Sequence, residues 1–213
     1  MATTYVDEFR GTDNLVYAEV QKDNNVQGEG YVTGTVKVLA PVAEISKTTE
    51  TNSDSKYYDN HAALVVSSEG ADTITLNVPA LSLETLADIT GKGYDEDTGA
   101  LQDGERTVKY FALGYRLKLI GDKPGYRYVW RYKGTFGIPE ESSKTEDAST
   151  DSSGQQLTYT GISTNHKFTK AVDANGNTLS QKALVVDEAD GLADLSTFFA
   201  TVTTCDTITA VTP

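Results

Sequence analysis

Two neighbouring segments, residues 110–120 and 126–136, alternate between an apolar or aromatic row on one side and basic residues on the other. A period of two residues is typical of a β-strand whose two faces meet different environments. The stretch 121–124 between them, Gly-Asp-Lys-Pro, has the composition of a tight turn. We therefore predict an antiparallel hairpin with Lys118 opposite Arg127, since this register puts both apolar rows on one face and both basic rows on the other.

The rest of the sequence also favours strands. With 12 tyrosines, 18 glycines and one methionine, the composition suits short strands and turns better than a helical bundle. One helix is predicted between the N-cap residue Ser82 and a left-handed stop at Gly91, because the apolar residues between them follow the helical period. The expected fold is mainly β: two packed antiparallel sheets, as a sandwich or barrel, with one flanking helix and long loops. Further strands are expected at 30–42, 62–66, 73–78, 157–162, 166–172 and 183–186.

Polar segments divide the chain, which is expected to form a single domain over residues 1–213. Residues 1–14 are predicted to be an N-terminal arm. Residues 44–60 and 140–156 are predicted to be exposed loops, the first a loop or ribbon, because neither has enough apolar residues to bury itself. Residues 187–213 form a C-terminal segment whose role is open, with a short helix and a final strand as candidates within it.

The charge balance argues against a general DNA- or RNA-binding protein. The chain has 18 basic and 31 acidic residues, a net charge of −13, so its field repels nucleic-acid phosphates. A single cysteine excludes a disulfide within the chain and a metal site with several cysteines. No apolar run approaches the roughly 18 residues of a membrane span, and the first residues lack a secretion signal pattern. We expect a protein without membrane contact.

No group of residues predicts catalysis. His61 and His166 lie far apart and lack the spacing of a zinc site or a catalytic triad, and Cys205 has no basic neighbour in sequence. Acidic clusters at residues 95–97 and 173–177 do not fit the EF-hand pattern, so solvated turns are expected, with an adventitious calcium ion at the first as the alternative. We expect neither an enzyme nor a bound cofactor or metal.

The basic residues of the predicted hairpin form a candidate binding surface. In the predicted register the aromatic side chains point into the core, so nucleic-acid bases could not stack on them beside the basic row. An acidic protein surface is the favoured partner, such as residues 140–141 of another copy, with a solvated face or a nucleic-acid site as the alternatives. The candidate subunit interface comprises Arg116, Lys118, Arg127 and Arg131, with Lys133 in the same row.

Between residues 110 and 145 the sequence resembles the major tail protein family of long-tailed phages and prophages of Gram-positive bacteria. The shared pattern is an Ala-Leu-Gly-Tyr strand, a short turn, a Tyr-Val-Trp-Arg-Tyr-Lys-Gly strand, Pro-Glu-Glu, and a Lys-Thr pair. Weaker similarity extends over about residues 10–172. The motif residues are Gly114, Tyr115, Tyr128, Trp130, Tyr132, Lys133, Gly134, Pro139, Glu140 and Glu141.

The resemblance implies a structural virion protein, present in the host cytoplasm during assembly. Such subunits form stacked hexameric rings, a tail tube that conducts genomic DNA into the host without binding it specifically. The implied partners are other copies of the chain, the tape-measure protein, the tail terminator and tail-tip proteins. Residues 1–14 and 44–60 are candidates to bridge subunits or rings, which adds Tyr57, Tyr58, Asp59 and Asn60 to the candidate interface. The alternative is a monomeric immunoglobulin-like β-sandwich that binds a surface partner.

Overall fold

The structure is a computed structural model that describes residues 5–25, 30–140 and 154–211. Strands account for 57% of the described residues and helices for 6%, which confirms the prediction of a mainly β fold with one α-helix. The helix α1 is Leu83–Thr90, and a short 3-10 turn covers Glu188–Asp190. The strands are β1 (Asp7–Asp23), β2 (Tyr31–Thr33), β3 (Lys37–Val38), β4 (Glu44–Tyr58), β5 (His61–Val78), β6 (Gly93–Asp95), β7 (Ala100–Gln102), β8 (Phe111–Gly121), β9 (Gly125–Phe136), β10 (Gln155–Ile162), β11 (Lys167–Val172), β12 (Thr178–Ser180) and β13 (Ala183–Asp187).

One large antiparallel sheet organises the molecule. Its order is β2-β1-β8-β9-β10-β5-β4, with β3 beside β2 on the outer edge of β1 and β13 beside β10 on β9. Two small sheets, β6-β7 and β11-β12, lie outside it. Over the described residues the large sheet does not close into a barrel. Among the described strands, β4 and part of β1 are therefore open edges of this sheet.

Both faces of the large sheet are buried, each under a different part of the chain. The first face packs against α1 through Ile89 and against the segment that follows β3 through Leu39. The second face packs against Phe168 of β11 and against Phe198 and Val202 of the C-terminal segment. Because the central strands are covered on both sides, both of their side-chain rows belong to a core.

The register of the β8–β9 hairpin differs from the prediction by one residue. Leu117, and not Lys118, lies opposite Arg127. The apolar row of β8 faces the first core, whereas the aromatic row of β9 faces the second. The prediction was wrong because it assumed one buried face, and with two buried faces the separation of apolar from basic rows no longer selects the register.

The predicted helix is confirmed at both ends. The Ser82 hydroxyl accepts a hydrogen bond from the Thr85 backbone N–H at 3.2 Å, as expected of an N-cap residue. Gly91 ends the helix in the left-handed conformation, with φ of 69°. A β-carbon at Gly91 would lie 1.8 Å from the backbone oxygen of Thr107, so close backbone packing also requires glycine there.

Two segments, predicted to be an N-terminal arm and an exposed loop or ribbon, are strands of the large sheet. Residues 7–14, predicted to be an arm, belong to β1 and pair with the second half of β8. Residues 44–58, predicted to be a loop or ribbon, form β4 and pair with β5 along their whole length. Threonine and serine compensate for the lack of apolar residues in β4, since strand pairing there does not require a buried face.

The other polar and C-terminal predictions have mixed outcomes. Of the predicted loop 140–156, residues 141–153 lie outside the described residues, while residues 155–156 begin β10. Beyond the 3-10 turn, residues 191–211 have turns and one isolated bridge between Ala193 and Ala210, so the short helix and final strand considered there are wrong. Their apolar side chains instead cover the second core. Over the described residues, none of the helices has the length and apolar character to cross a membrane.

Candidate functional site

The hairpin of β4 and β5 continues beyond the large sheet as a two-stranded ribbon, residues 50–70, which we call the arm. Strand β10 pairs with β5 only over Asp72–Val78, so the described part of the chain provides no strand beside the arm. Every residue from 50 to 69 is exposed, whereas burial alternates along β5 from Asp72 onward. The arm therefore projects from the rest of the described protein, which we call the body, and the boundary on β5 lies between residues 69 and 72.

The tip of the arm is a tight turn at Asp59 and Asn60. Both residues have positive φ angles, 46° and 64°, the pattern of a type I′ hairpin turn. Tyr58 lies opposite His61 immediately beside this turn. From this turn to the base, β4 and β5 stay paired, with a register shift between Lys56 and Tyr57, so the arm is a continuous hairpin.

The arm exposes large apolar side chains on both of its faces. Leu64 and Val66 lie opposite Lys56 and Asp54 on one face, whereas Val65 lies opposite Ser55 on the other. An isolated two-stranded ribbon is only marginally stable in water, and exposed apolar clusters commonly mark contact surfaces. The exposed apolar residues of the arm, between 51% and 68% accessible, are Tyr57, Tyr58, Leu64, Val65 and Val66.

The two ends of the large sheet are open edges. At one end, β4 has no further neighbour among the described strands. At the other end, residues 7–14 of β1 pair with β8 on one side only, since β3 and β2 cover β1 from Val16 onward. Exposed Val6 and Phe9 lie at this edge. Unpaired backbone N–H and C=O groups at such edges can pair with another strand.

The predicted basic face of the central hairpin is not formed. The observed register places Arg116 on the opposite side of the sheet from Arg127 and Arg131. Arg116 forms an ion pair with Asp13 and stacks on the Tyr126 ring, its guanidinium carbon 4.2 Å from the ring centre.

The other basic residues of the hairpin also have partners within the chain. Arg127 donates two hydrogen bonds to Asp187, at 2.6 and 2.8 Å. These bonds lower the pKa of the Asp187 carboxyl. Lys118 is exposed and makes no ion pair with the described residues. Four of the five basic residues thus pair with carboxylates on other strands, a pairing that sequence spacing did not reveal.

Lys133 and Asp23 form a buried ion pair between β9 and the end of β1. Their side chains are 8% and 6% exposed, and the lysine nitrogen lies 2.5 Å from a carboxylate oxygen. Asp23 also accepts hydrogen bonds from the backbone N–H groups of Asn165 and His166. Burial raises the pKa of Asp23, but these hydrogen bonds and the lysine charge outweigh it and hold the pKa below its ordinary value. The pair joins the N-terminal strand to the C-terminal half of the chain.

The glycines of the tail-protein-like motif permit close packing. A β-carbon on Gly114 would lie 2.8 Å from the Trp130 ring, and one on Gly134 would lie 2.4 Å from the Tyr159 ring. Tyr115 is buried in the first core. These three motif residues therefore contribute to packing inside the fold.

Three further motif residues, Tyr128, Trp130 and Tyr132, pack in the second core. The Trp130 indole N–H donates to the backbone oxygen of Phe198 at 2.8 Å, and the Tyr132 hydroxyl accepts from the Cys205 N–H at 3.1 Å. Tyr128 stacks on Phe199. Pro139 is buried and Glu140 is exposed, whereas Glu141 lies outside the described residues.

The residues considered for chemistry lie apart from one another. His61 is in the arm, whereas His166 packs edge-on against Phe168. Burial raises the pKa of the Cys205 thiol, which disfavours the reactive thiolate. Across residues 5–25, 30–140 and 154–211, no three histidine, cysteine or acidic side chains are grouped to hold a metal ion. Asp95 and Asp173, from the two acidic clusters, instead accept hydrogen bonds within their own turns.

A polar cavity of about 530 Å³ lies beside the C-terminal end of α1. Asp88 lines it and pairs with Lys37 at 2.7 Å and with Lys109 at 3.5 Å. Burial raises the pKa of Asp88, but hydrogen bonds from Lys37 and Tyr17 and the lysine charges outweigh burial and lower it. Asp88 and the two lysines beside it therefore already have partners within the chain.

Comparison with known proteins does not identify a family for this chain. No family model matches this chain, and no curated protein matches it. The function is therefore inferred from the arm, the open sheet edges and the charge of the chain.

Proposed function

We propose that the chain is a structural subunit that assembles with copies of itself into stacked hexameric rings, the tail tube of a long-tailed phage. The observation that carries the proposal is the arm, a continuous ribbon of about twenty residues that is exposed on both faces and has no neighbouring strand among the described residues. The motif similarity between residues 110 and 145 points to the same function.

Ring formation uses the two open edges of the large sheet. The free edge of β4 and the free edge of β1 over residues 7–14 lie at opposite ends of the strand order. A head-to-tail arrangement brings one edge of each subunit to the other edge of the next, and such a contact closes into a ring when the rotation permits. Edge pairing would also satisfy backbone groups that the monomer leaves to water.

Stacking uses the arm. In the assembled tube, the arm of one copy contacts an adjacent subunit or the next ring, and its apolar side chains become buried there. Removing the remaining exposed area of Tyr57, Tyr58, Leu64, Val65 and Val66 from water would contribute about 1 kcal/mol per side chain. Summed over the copies in a ring, such contacts stabilise a polymer that single contacts could not.

The charge of the chain suits a conduit for DNA. A net charge of −13 repels phosphates, so a genome passing through the tube would slide without adhering. The resemblance adds the tape-measure protein, the tail terminator and tail-tip proteins as partners in the virion. No catalytic group is needed for this function.

Sedimentation velocity over a range of concentrations tests the proposal. The matched variant replaces residues 52–68 by Asn-Gly, which joins the directly opposed Thr51 and Glu69 through a two-residue turn. The intact chain is expected to form large species as concentration rises, while the shortened variant stays a folded monomer. A chain that remains monomeric at every concentration would instead indicate a binding module, and equal assembly by the shortened variant would contradict the role of the arm.

A further inference from the structure

The base of the arm contains a β-bulge. Thr49 pairs with Asp72 and Thr51 pairs with Glu69, so Glu50 on β4 lies opposite two residues, Gly70 and Ala71, on β5. A bulge bends the strands and increases their twist, so the direction of the arm is set at this point. A β-carbon at Gly70 would lie 2.6 Å from a carboxylate oxygen of Glu50, which shows how closely the strands approach there.

A buried carboxylate lies immediately below the bulge. Asp72 is 3% exposed and accepts hydrogen bonds from the Thr49 hydroxyl at 2.8 Å and from Arg131 at 3.0 Å. The Lys47 nitrogen lies 3.6 Å away. Burial raises the pKa of Asp72, but the Thr49 hydrogen bond and the nearby positive charges outweigh burial and lower it. The carboxylate is therefore ionised at neutral pH and joins both strands of the hairpin to β9.

Lys182 contacts the bulge from the segment before β13. Its ammonium group donates to the Gly70 backbone oxygen, lies 3.7 Å from Glu69 and lies 3.6 Å from Asp72. These contacts reach the last residues of the arm and the first buried residue of the body. The Lys182 backbone oxygen in turn accepts the Tyr132 N–H at 2.9 Å, which fixes the lysine to β9.

We infer that Lys182 is a positioning residue that, together with Asp72, fixes the angle at which the arm leaves the body. Three contacts from one side chain span the bulge, so removing that side chain frees the bulge to act as a pivot while the large sheet stays intact. The direction of the arm follows from contacts within one chain. Only its consequence, a correctly aimed stacking contact, rests on the proposed function.

The inference is tested by electron paramagnetic resonance distances between the arm and the body. With Cys205 replaced by serine, spin labels are attached to cysteines at Ser55 in the arm and Thr158 in β10, both exposed. Lys182→Met is compared with the unchanged Lys182 chain and with the control Lys56→Met, which removes a lysine whose partner is Asp54 within the arm. We expect Lys182→Met to widen the distance distribution at least twofold and Lys56→Met to leave it unchanged.

A distribution for Lys182→Met that superimposes on that of the unchanged chain would overturn the inference. If Lys182→Met does not fold, Lys182→Gln decides by the same criterion, because it keeps a donor for the Gly70 oxygen but removes the charge. The distances are measured at a concentration where sedimentation shows monomers only. An unchanged distance distribution in the monomer is therefore distinguishable from failure of the proposed function, which concerns assembly at higher concentration.

Discussion

The β8–β9 hairpin and the arm are both antiparallel ribbons with apolar side chains on two faces, but they differ in what covers them. The β8–β9 hairpin lies under α1 on one face and under the C-terminal segment on the other. The arm has no cover on either face from the described residues. Since the β8–β9 hairpin is buried and the arm is exposed, we expect substitutions in the hairpin to change folding and substitutions in the arm to change assembly.

The largest expected effect is on the central hairpin. Trp130→Ala removes a fully buried side chain and its hydrogen bond to Phe198, and should lower the free energy of unfolding by about 3–5 kcal/mol. Tyr57→Ala in the arm should change it by less than about 0.5 kcal/mol, because Tyr57 is exposed. Urea denaturation of the monomer measures both values, and similar losses for the two variants would remove the proposed distinction between the ribbons.

The buried ion pair should give the next largest effect. Lys133→Met leaves the Asp23 carboxylate buried without its cation, which costs about 3 kcal/mol in comparable pairs. Lys118→Met on the same hairpin is the control, since Lys118 is exposed and makes no ion pair with the described residues. A thermal midpoint for Lys133→Met equal to that of Lys118→Met would mean that the pair does not stabilise the fold.

Acid should lower the free energy of unfolding by protonating the buried carboxylates of Asp23 and Asp72. The pKa values of Asp23 and Asp72 lie below their ordinary value of 3.8 in the folded chain. As pH falls below about 4, the unfolded chain therefore takes up protons first, and stability is lost until the folded carboxylates are protonated as well. Urea midpoints between pH 6 and pH 3 should show this loss, and Asp23→Asn should make the decline shallower. A decline of unchanged steepness in Asp23→Asn would exclude Asp23 as a source.

Substitution of the apolar residues of the arm should have the smallest effect on stability. It should nevertheless have a large effect on assembly. Val65→Thr combined with Val66→Thr keeps two strand-forming residues while making both faces more polar. We expect an unchanged thermal midpoint and loss of the large species in sedimentation. Ser53→Thr combined with Ser67→Thr, a polar pair opposite each other in the same ribbon, is the control and should assemble normally.

Local signals predicted local structure. The Ser82 cap and the Gly91 stop located α1 because capping depends on residues within one turn of the helix. Two-residue alternation located β8 and β9 for the same reason. The β8–β9 register was missed because it depends on the cover supplied by Phe198, which lies 68 residues beyond Trp130.

The features of the candidate site depended on distant partners. The exposure of Tyr57, Tyr58, Asp59 and Asn60 was predicted because a segment with so few apolar residues cannot bury itself. Leu64, Val65 and Val66 were predicted to be a strand, but their exposure follows only from the absence of a neighbouring strand among the described residues. Lys182 gave no sequence signal, since its partners Gly70 and Asp72 come from a strand far earlier in the chain.

We expect the chain to assemble into a tube through its arm. Negative-stain electron microscopy of the purified chain, at increasing concentration and beside the variant with residues 52–68 replaced by Asn-Gly, tests it most directly. We expect rings or tubes with a central hole from the intact chain and single small particles from the variant. Uniform small particles of the intact chain at every concentration, or equal tubes from both proteins, would contradict it.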